Sequence, residues 1–258
     1  MIHFSITGTT ATLRINRPQA RNALNWEAQE QFAAAVRQVR ADGQIRVLVI
    51  TGSGDEAFVS GADLKELHDH PQPESGRRLH RIMSGALAEL GALPIPVIGA
   101  VNGDAFGGGC EILTACDIRL ARPSARFSFA QVRNGLTTGW GGTGRLVRLL
   151  GQSRAMELLL TGRLLSAAEA AAIGLVHSVV PDEAWEATLS KRASQLARLP
   201  RSALAATKQL VQAAPHCTLE ELNALEEKLF VDLWPQPDHL EAMAAFIAKR
   251  SPRFNRDG

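Results

Sequence analysis

Apolar and polar positions alternate at the start of the chain, over residues 2–6 and 11–16, with a polar turn segment at 7–10 between them. Alternation of period two on both sides of a turn predicts a β-hairpin. Asn25 then precedes a segment of helical period and is placed to cap it. The apolar stripe of that helix is formed by Phe32, Ala35, Val36 and Val39. We therefore expect the chain to begin with a hairpin followed by an amphipathic helix.

Two almost unbroken apolar runs, residues 45–50 and 95–101, predict buried strands, and we expect the first to be parallel to its neighbours. Glycine, proline and helical period divide the segments around these runs into shorter elements. We expect a helix over 64–70 ended by Pro71, a loop over 71–76, a helix over 79–90, and strands over 117–120 and 126–129.

Helical period dominates from Thr143 onwards, interrupted only by an apolar strand-like run at 175–180. Helices are predicted over 143–150, 153–161, 166–173, 182–199, 201–213, 218–232 and 238–249. The fold class expected is α/β, with a core over residues 1–195 and a helical region over 196–258. The helical region is expected to cap the core or to pack on a neighbouring subunit. The sequence shows no repeat of fixed period.

Composition narrows the class of protein. The chain has 258 residues, 45% of them apolar, which is enough for one large core, and its net charge is only +2. No basic cluster predicts binding to nucleic acid, and no apolar run approaches the roughly 20 residues that span a bilayer. Residues 1–6 lack the features of a signal peptide, so we expect a soluble, cytoplasmic protein. The cysteines show no metal-ligand spacing, so we predict no metal site and expect them to be reduced.

The segment with the clearest chemical content is residues 101–111 (VNGDAFGGGCE), in which three glycines precede Glu111. Glycine lets backbone N–H groups approach a ligand, and a helix starting here would direct its unpaired N–H groups at the same place. Such donors suit a carbonyl oxygen that gains negative charge, with Glu111 beside it as a proton carrier. The alternative is a tightly packed glycine corner with a solvated glutamate.

Two further motifs stand at ordered positions before this block: NRP at 16–18 leading to NALN at 22–25, and FVSGADLKEL at 58–67. Together with the glycine block, WGGT at 140–143 and residues 168–180, they closely resemble the crotonase family, the enoyl-CoA hydratase/isomerase superfamily. The resemblance implies a spiral of ββα units, an acyl-CoA thioester substrate, and homo-oligomers that are trimers or dimers of trimers. Coenzyme A is then part of the substrate, and no separate cofactor is expected.

The resemblance also implies roles for individual positions. The backbone N–H groups of Ala62 and Gly108 would form an oxyanion hole for the thioester carbonyl, and Glu111 would act as acid and base. The implied substrate-binding positions are Ala23, Leu24, Gly61, Asp63, Leu64, Gly107 and Trp140.

Three positions near residue 135 bear on the reaction. Where hydratases carry a second glutamate this chain has Gln131, whose amide neither accepts nor delivers a proton at ordinary pH. Gly139 matches a position whose N–H helps to hold the catalytic water. Trp140 stands where a small residue is usual, which predicts a narrower acyl pocket. Asp104, on the approach to the glycine block, is the candidate to replace the missing second carboxylate. For Asp117 we expect a structural pair instead.

Several functions stay open at this point. The leading hypothesis is a hydratase-type lyase, because hydratases dominate the family. Decarboxylation of a short branched malonyl-CoA and double-bond isomerisation need only one proton carrier, which the substitution at Gln131 favours. A protein that binds acyl-CoA or a partner without turnover is the remaining alternative.

Overall fold

A computed structural model describes residues 1–254 of the chain. Its strands are β1 Ile2–Thr7, β2 Thr10–Ile15, β3 Val47–Gly52, β4 Ala57–Val59, β5 Val97–Val101, β6 Asp104–Phe106, β7 Ile118–Ala121, β8 Arg126–Ser128, β9 Leu165–Ser166 and β10 Ser178–Val179. Its α-helices are α1 Trp26–Ala41, α2 Leu64–His68, α3 Pro73–Gly91, α4 Gly108–Thr114, α5 Gly142–Leu150, α6 Gln152–Thr161, α7 Ala167–Ala172, α8 Trp185–Ala197, α9 Arg201–Ala213, α10 Leu219–Leu233 and α11 Pro237–Ile247.

The strands form two sheets. The larger has the order β1-β2-β3-β5-β7-β10, and the smaller has the order β4-β6-β8-β9. Each of the consecutive pairs β3-β4, β5-β6 and β7-β8 places its first strand in the larger sheet and its second in the smaller one, and helical segments follow each pair. This is the predicted spiral of ββα units, so the fold class is confirmed. The repeat is one of backbone arrangement, which explains why no sequence period reveals it.

The N-terminal predictions are confirmed in detail. Strands β1 and β2 pair antiparallel from Ile2 with Ile15 to Thr7 with Thr10. The Asn25 side chain accepts a hydrogen bond from the Ala28 N–H at 3.0 Å and so caps α1. The apolar run at 45–50 forms most of β3, which lies parallel to both β2 and β5.

Two predicted boundaries are wrong. The loop expected over 71–76 is largely helical, because α3 begins at Pro73, a first-turn position for which the fixed φ of proline is well suited. The strand expected over 175–180 shortens to Ser178–Val179, which pairs with Leu120 and Ala121 of β7. Leu175 and Val176 are buried without being in the ladder, so burial alone produced the strand-like pattern.

The larger sheet carries helices on both faces. On one side α8 packs Trp185 against residues of the sheet such as Val47 and Ile98. Helix α9 is tied to the sheet by Lys208, whose Nζ lies 2.6 Å from Asp117 Oδ2. The structural pairing expected for Asp117 is thus confirmed. The predicted boundary between residues 195 and 196 falls inside α8, and the division into two regions stays a prediction.

Within residues 1–254, no helix combines the length and apolar character required to cross a bilayer. The same residues contain no group of three or more His, Cys, Asp or Glu side chains arranged to hold a metal ion.

Candidate active site

The predicted site segments follow three neighbouring parallel strands of the smaller sheet. Strand β4 pairs with β6, and β6 with β8. The segment after β4 holds Ala62, the segment after β6 holds Gly108 and Glu111, and the segment after β8 holds Gln131. Because the carboxyl ends of parallel strands meet at one edge of a sheet, these distant segments converge there, as ligand sites of parallel sheets commonly do.

A pocket, here called the central pocket, opens at this edge and has a volume of about 130 Å³. Its walls are Ser60, Gly61, Ala62, Leu64, Leu67, Leu79, Phe106, Gly107, Gly108, Glu111, Ala130, Gln131, Asn134, Leu136, Thr137, Gly139 and Trp140. Pockets that enclose a drug-sized ligand measure roughly 300–1,000 Å³. The central pocket therefore has room for the reacting end of a larger molecule. Among residues 1–254, Glu111 is the one ionisable side chain in its walls.

The N–H groups of Ala62 and Gly108 come from two loops that touch. A Cβ placed on Gly61 would lie 3.3 Å from the Gly108 nitrogen. The neighbours of Ala62 bond to Leu24, whose N–H donates to the Gly61 carbonyl at 2.8 Å and whose carbonyl accepts from the Asp63 N–H at 3.0 Å. Neither the Ala62 nor the Gly108 N–H has an acceptor among residues 1–254. Ala62 and Gly108 both line the central pocket, and a role of their N–H groups as an oxyanion hole stays a prediction.

Glu111 lies in the first turn of α4 and is only 1% exposed. Its Oε1 accepts hydrogen bonds from Gln131 Nε2 at 2.8 Å and from the Gly139 N–H at 3.1 Å. Its Oε2 accepts from the Trp140 N–H at 2.8 Å and from the Gly142 N–H at 2.7 Å. The alternative of a solvated glutamate is excluded, because Glu111 is buried and its carboxylate accepts four hydrogen bonds from protein donors.

Burial raises the pKa of the Glu111 carboxyl above its usual value of 4.5, and the four hydrogen bonds offset this effect only in part. A raised pKa brings a carboxyl closer to the pH at which it can both accept and deliver a proton. Glu111 thus has the environment expected of a general acid–base group.

Trp140 is 2% exposed, and its ring lies against the Cα of Gly108, where a Cβ would overlap the six-membered ring. The absence of a side chain at Gly108 therefore makes room for the Trp140 ring, and it also lets other atoms come close to the Gly108 N–H. The Trp140 carbonyl accepts from Arg145 Nη2 at 2.6 Å, while Arg145 Nε donates to Thr114 at 3.1 Å. Arg145 thereby fastens the segment that carries Trp140 to α4.

Sequence reasoning missed some of the residues that build this site. His80 is exposed on α3, and its Nδ1 donates to the Gly139 carbonyl at 2.7 Å. Gly142 is required because a Cβ would lie 2.5 Å from Cγ of Glu111. The WGGT motif contained the signal for Gly142, whereas no pattern singled out His80 or Arg145.

Three of the predicted substrate-binding residues are not in the pocket walls. Ala23 and Leu24 are buried, and Asp63 Oδ2 pairs with Arg17 Nη1 at 2.9 Å. Arg17 also donates to the Ala23 carbonyl, so these residues hold the NALN motif against the loop after β4. A role of all three along the path of coenzyme A stays a prediction.

Asp104 does not replace the missing carboxylate. Its Oδ2 lies 2.6 Å from Arg21 Nη2 and 2.6 Å from Arg126 Nη2, and it is outside the pocket walls. Asp104, on the approach to the glycine block, therefore has a structural role as the partner of two arginines.

Comparison with known proteins agrees with this geometry. The family model described as enoyl-CoA hydratase/isomerase matches residues 5–257. The chain belongs to the enoyl-CoA hydratase/isomerase family. The predicted resemblance to the crotonase superfamily is confirmed, as is the prediction of an enoyl-CoA hydratase-type enzyme at the level of the family.

Individual relatives cover almost the whole chain. A short-chain-enoyl-CoA hydratase of Clostridium acetobutylicum is 37% identical over 94% of this chain and 93% of its own length. A crotonyl-CoA hydratase of Syntrophomonas wolfei is 36% identical over 95% and 94%. The crystal structure of an enoyl-CoA hydratase from Bacillus anthracis superimposes with a TM-score of 0.94 at 33% identity, covering 98% of each chain.

Proposed function

We propose that the protein hydrates the double bond of a short α,β-enoyl-CoA, with Glu111 as its only proton-transferring side chain. The observation that carries this proposal is a pocket in which, among residues 1–254, Glu111 is the one ionisable group and two amides without acceptors, those of Ala62 and Gly108, lie nearby. The similarity to short-chain-enoyl-CoA and crotonyl-CoA hydratases supports both the reaction and the chain length.

The two amides would act on the thioester carbonyl. Addition at Cβ moves the π electrons toward Cα, and the resulting enolate places its charge on the thioester oxygen. Donors that are already oriented stabilise such an oxyanion, and loss of one donor elsewhere costs about 2.7–4 kcal/mol. The pair formed by Ala62 and Gly108 therefore lowers the barrier for any reaction that passes through this enolate.

Glu111 would transfer the proton in both directions. As a carboxylate it takes one proton from water while the oxygen of that water bonds to Cβ. As the resulting acid it gives a proton to Cα, so that the product has gained one water and Glu111 is a carboxylate again. A single carboxyl is sufficient for this cycle, because the second group only has to hold the water.

The absence of a second carboxylate from the pocket walls supports one further candidate, enolate chemistry with a single proton carrier. In decarboxylation of a short branched malonyl-CoA the bond to the carboxylate breaks, carbon dioxide leaves and Glu111 protonates Cα. The raised pKa of Glu111 favours the acid that this step needs. Isomerisation of a 3-enoyl-CoA would use Glu111 to move a proton between two carbons.

We propose further that the protein is a cytoplasmic homo-oligomer, a trimer or dimer of trimers. Large apolar side chains are exposed on the C-terminal helices, among them Phe230, Val231, Phe246 and Ile247. Burial of these side chains against copies of the chain would remove the apolar surface from water. Light scattering of the purified protein measures the mass and tests this proposal.

One assay separates the reactions. The protein is incubated with crotonyl-CoA, a 3-enoyl-CoA, methylmalonyl-CoA and ethylmalonyl-CoA, and product masses are recorded. We expect crotonyl-CoA to gain the mass of one water. Loss of carbon dioxide, or an unchanged mass with a shifted absorbance, would replace hydration by decarboxylation or isomerisation. No change with any substrate would favour an acyl-CoA-binding protein without turnover.

A further inference from the structure

The two oxygens of Glu111 have different surroundings. Oε1 is bonded to Gln131 and Gly139, which both line the central pocket. Oε2 is bonded to the N–H groups of Trp140 and Gly142, and both of those hydrogen bonds are buried. Trp140 also lines the pocket, but both hydrogen bonds of Oε1 are only partly buried, which makes Oε1 the more accessible oxygen and the one at which a proton is exchanged with a substrate or water.

Oε1 has no room for a further partner in this arrangement. A carboxylate oxygen offers about two lone-pair sites, and both sites of Oε1 face an N–H donor. Protonated Glu111 would meet a second difficulty, because its O–H needs an acceptor and all four neighbours are donors. Proton transfer at Oε1 thus requires one of its partners to move or to change its role.

The backbone donors are held firmly. The peptide group between Gly139 and Trp140 donates its N–H to Glu111, and its carbonyl is bonded to His80. The next carbonyl, that of Trp140, is bonded to Arg145. Gly142 is the first residue of α5 and is fixed by that helix. These contacts hold the amides of Trp140 and Gly142, and the bond from His80 to the Gly139 carbonyl restrains the residue whose N–H reaches Oε1.

Gln131 is held differently. Its side chain contacts Glu111 through Nε2, while its Oε1 is buried and has no hydrogen-bond partner among residues 1–254. Rotation about the last side-chain bond of glutamine is broad and roughly two-fold, so it exchanges the oxygen and the nitrogen. In the present orientation the amide oxygen of Gln131 has no partner, and this lack destabilises the present orientation. The difference in free energy between it and the orientation with oxygen and nitrogen exchanged is therefore reduced.

We propose that Gln131 is a positioning residue that changes its role with each proton transfer, donating through Nε2 to ionised Glu111 and accepting through Oε1 from protonated Glu111. The proposal rests on the proposed function. When water gives its proton to Glu111 Oε1, the amide turns and its Oε1 receives the new O–H. When Glu111 gives the proton to Cα, the amide turns back. Gln131 gains and loses no proton in this cycle.

Few other groups near Glu111 could change between donor and acceptor when Glu111 gains or loses a proton. Within residues 1–254, the charged or titratable side chains that interact electrostatically with Glu111 are Arg145 on α5 and the thiol of Cys110 on α4. Arg145 can only donate, and the Cys110 thiol donates to the Ala105 carbonyl. Neither can alternate between donor and acceptor toward Glu111.

A titration of the resting protein tests the proposal without turnover. The protein is labelled with ¹⁵N at glutamine side chains and ¹³C at glutamate carboxyls, and NMR spectra are recorded across the pH range of the folded state. The Gln131→Met variant identifies the Gln131 signal. We expect the Gln131 NH₂ signals to shift with the same midpoint as the Glu111 carboxyl, and the shift to vanish in Glu111→Gln. A Glu111 carboxyl that titrates while the Gln131 signals stay constant would overturn the proposal.

Kinetics provide an independent test. Gln131→Met keeps a side chain of similar length but has no amide, so kcat should fall roughly tenfold to a hundredfold, the effect of losing a hydrogen bond to a charged group. KM should change by less than about threefold, because the acyl-CoA contacts are kept. The control is Gln38→Met, the same change on the exposed face of α1. A kcat for Gln131→Met within about twofold of the wild type would also overturn the proposal.

Failure of the proposed function would be recognised separately. The kinetic comparison uses whichever acyl-CoA the protein converts, so a decarboxylase or isomerase leaves the test intact. If no acyl-CoA is converted, the NMR titration still decides whether the Gln131 amide follows the protonation of Glu111.

Discussion

The N–H of Gly142 lies 2.7 Å from Oε2 of Glu111, so the first residue of α5 is bonded to the carboxylate of the first turn of α4. These residues are 31 positions apart in the chain. The contact directs the positive end of the α5 dipole at the buried carboxylate, which stabilises its ionised form. The proposed acid–base group is therefore held by the backbone of a neighbouring ββα unit.

Replacing Gly142 tests this contact. In Gly142→Ala the new Cβ would lie 2.5 Å from Cγ and 2.7 Å from Oε2 of Glu111, so the carboxylate must move. We expect kcat to fall by about a hundredfold, since small displacements of catalytic groups have effects of this order. Steady-state kinetics measure the change.

The same helix offers a matched control. A Cβ on Gly144 would meet no atom within 4 Å, so Gly144→Ala adds the same methyl group without displacing Glu111. Its kcat should equal that of the wild type, and its helix should be slightly more stable. Equal kcat values for the two variants would contradict the role of the Gly142 contact.

Glu111→Gln should abolish turnover, with kcat at least about 10²-fold lower, because the amide cannot carry a proton. Acyl-CoA affinity, measured by isothermal titration calorimetry, should change little, since the proposed oxyanion donors belong to other residues. In this variant the new NH₂ group of Gln faces N–H donors, which could disturb the fold. Circular dichroism is therefore needed to show that the fold is unchanged. Turnover comparable to the wild type would remove Glu111 from its proposed role.

Glu111 should also make the stability depend on pH. Since its pKa in the folded protein is raised above 4.5, the folded state binds more protons than the unfolded chain as the pH rises past that value. The contribution of protonated Glu111 to the free energy of unfolding is fully present below about pH 4.5. It is lost as the pH rises through the folded-state pKa. The Tm of the wild type relative to Glu111→Gln should therefore fall as the pH rises above about 4.5 and level off once the folded-state pKa is passed.

A surface variant serves as the reference for this measurement. Glu220→Gln removes a carboxyl at an exposed position of α10. The difference in Tm between the wild type and Glu220→Gln should not show this fall with rising pH. A Tm difference between wild type and Glu111→Gln that rises with pH would mean that the folded-state pKa is lowered.

Trp140 should limit the acyl chain. In Trp140→Ala the ring that lies on Gly108 is removed, so the pocket widens and longer enoyl-CoA substrates fit. We expect the ratio of kcat/KM for a longer substrate to that for crotonyl-CoA to rise about tenfold or more. The free energy of unfolding should fall by about 3–5 kcal/mol, as for other buried aromatic side chains. An unchanged ratio in a folded variant would show that Trp140 does not set the chain length.

The sequence predicted elements that depend on local chemistry. Asn25 was recognised as a cap because its side chain and the N–H of Ala28 are three residues apart. The glycine block led to Glu111 because a helix start is visible in consecutive residues. The beginning of α3 at Pro73 was missed, since the polar residues that follow this proline are also typical of a loop.

The contacts that determine the chemistry lie far apart in the chain. The bond from Gln131 to Glu111 spans 20 residues, and that from His80 to Gly139 spans 59. Such pairs depend on the register of β4, β6 and β8, which no periodicity of side chains reveals. The resemblance to a family supplied the positions of Gln131 and Gly139 but not their bonds to Glu111.

The proposed oxyanion pair can be tested directly with a bound substrate. Crotonyl-CoA labelled with ¹³C at the thioester carbonyl is added to the Glu111→Gln variant, which binds without turnover, and the carbonyl stretch is recorded by infrared difference spectroscopy. If the amides of Ala62 and Gly108 polarise this carbonyl, its band lies at lower frequency than that of the same thioester free in water. A band at the free frequency or above it would contradict the account.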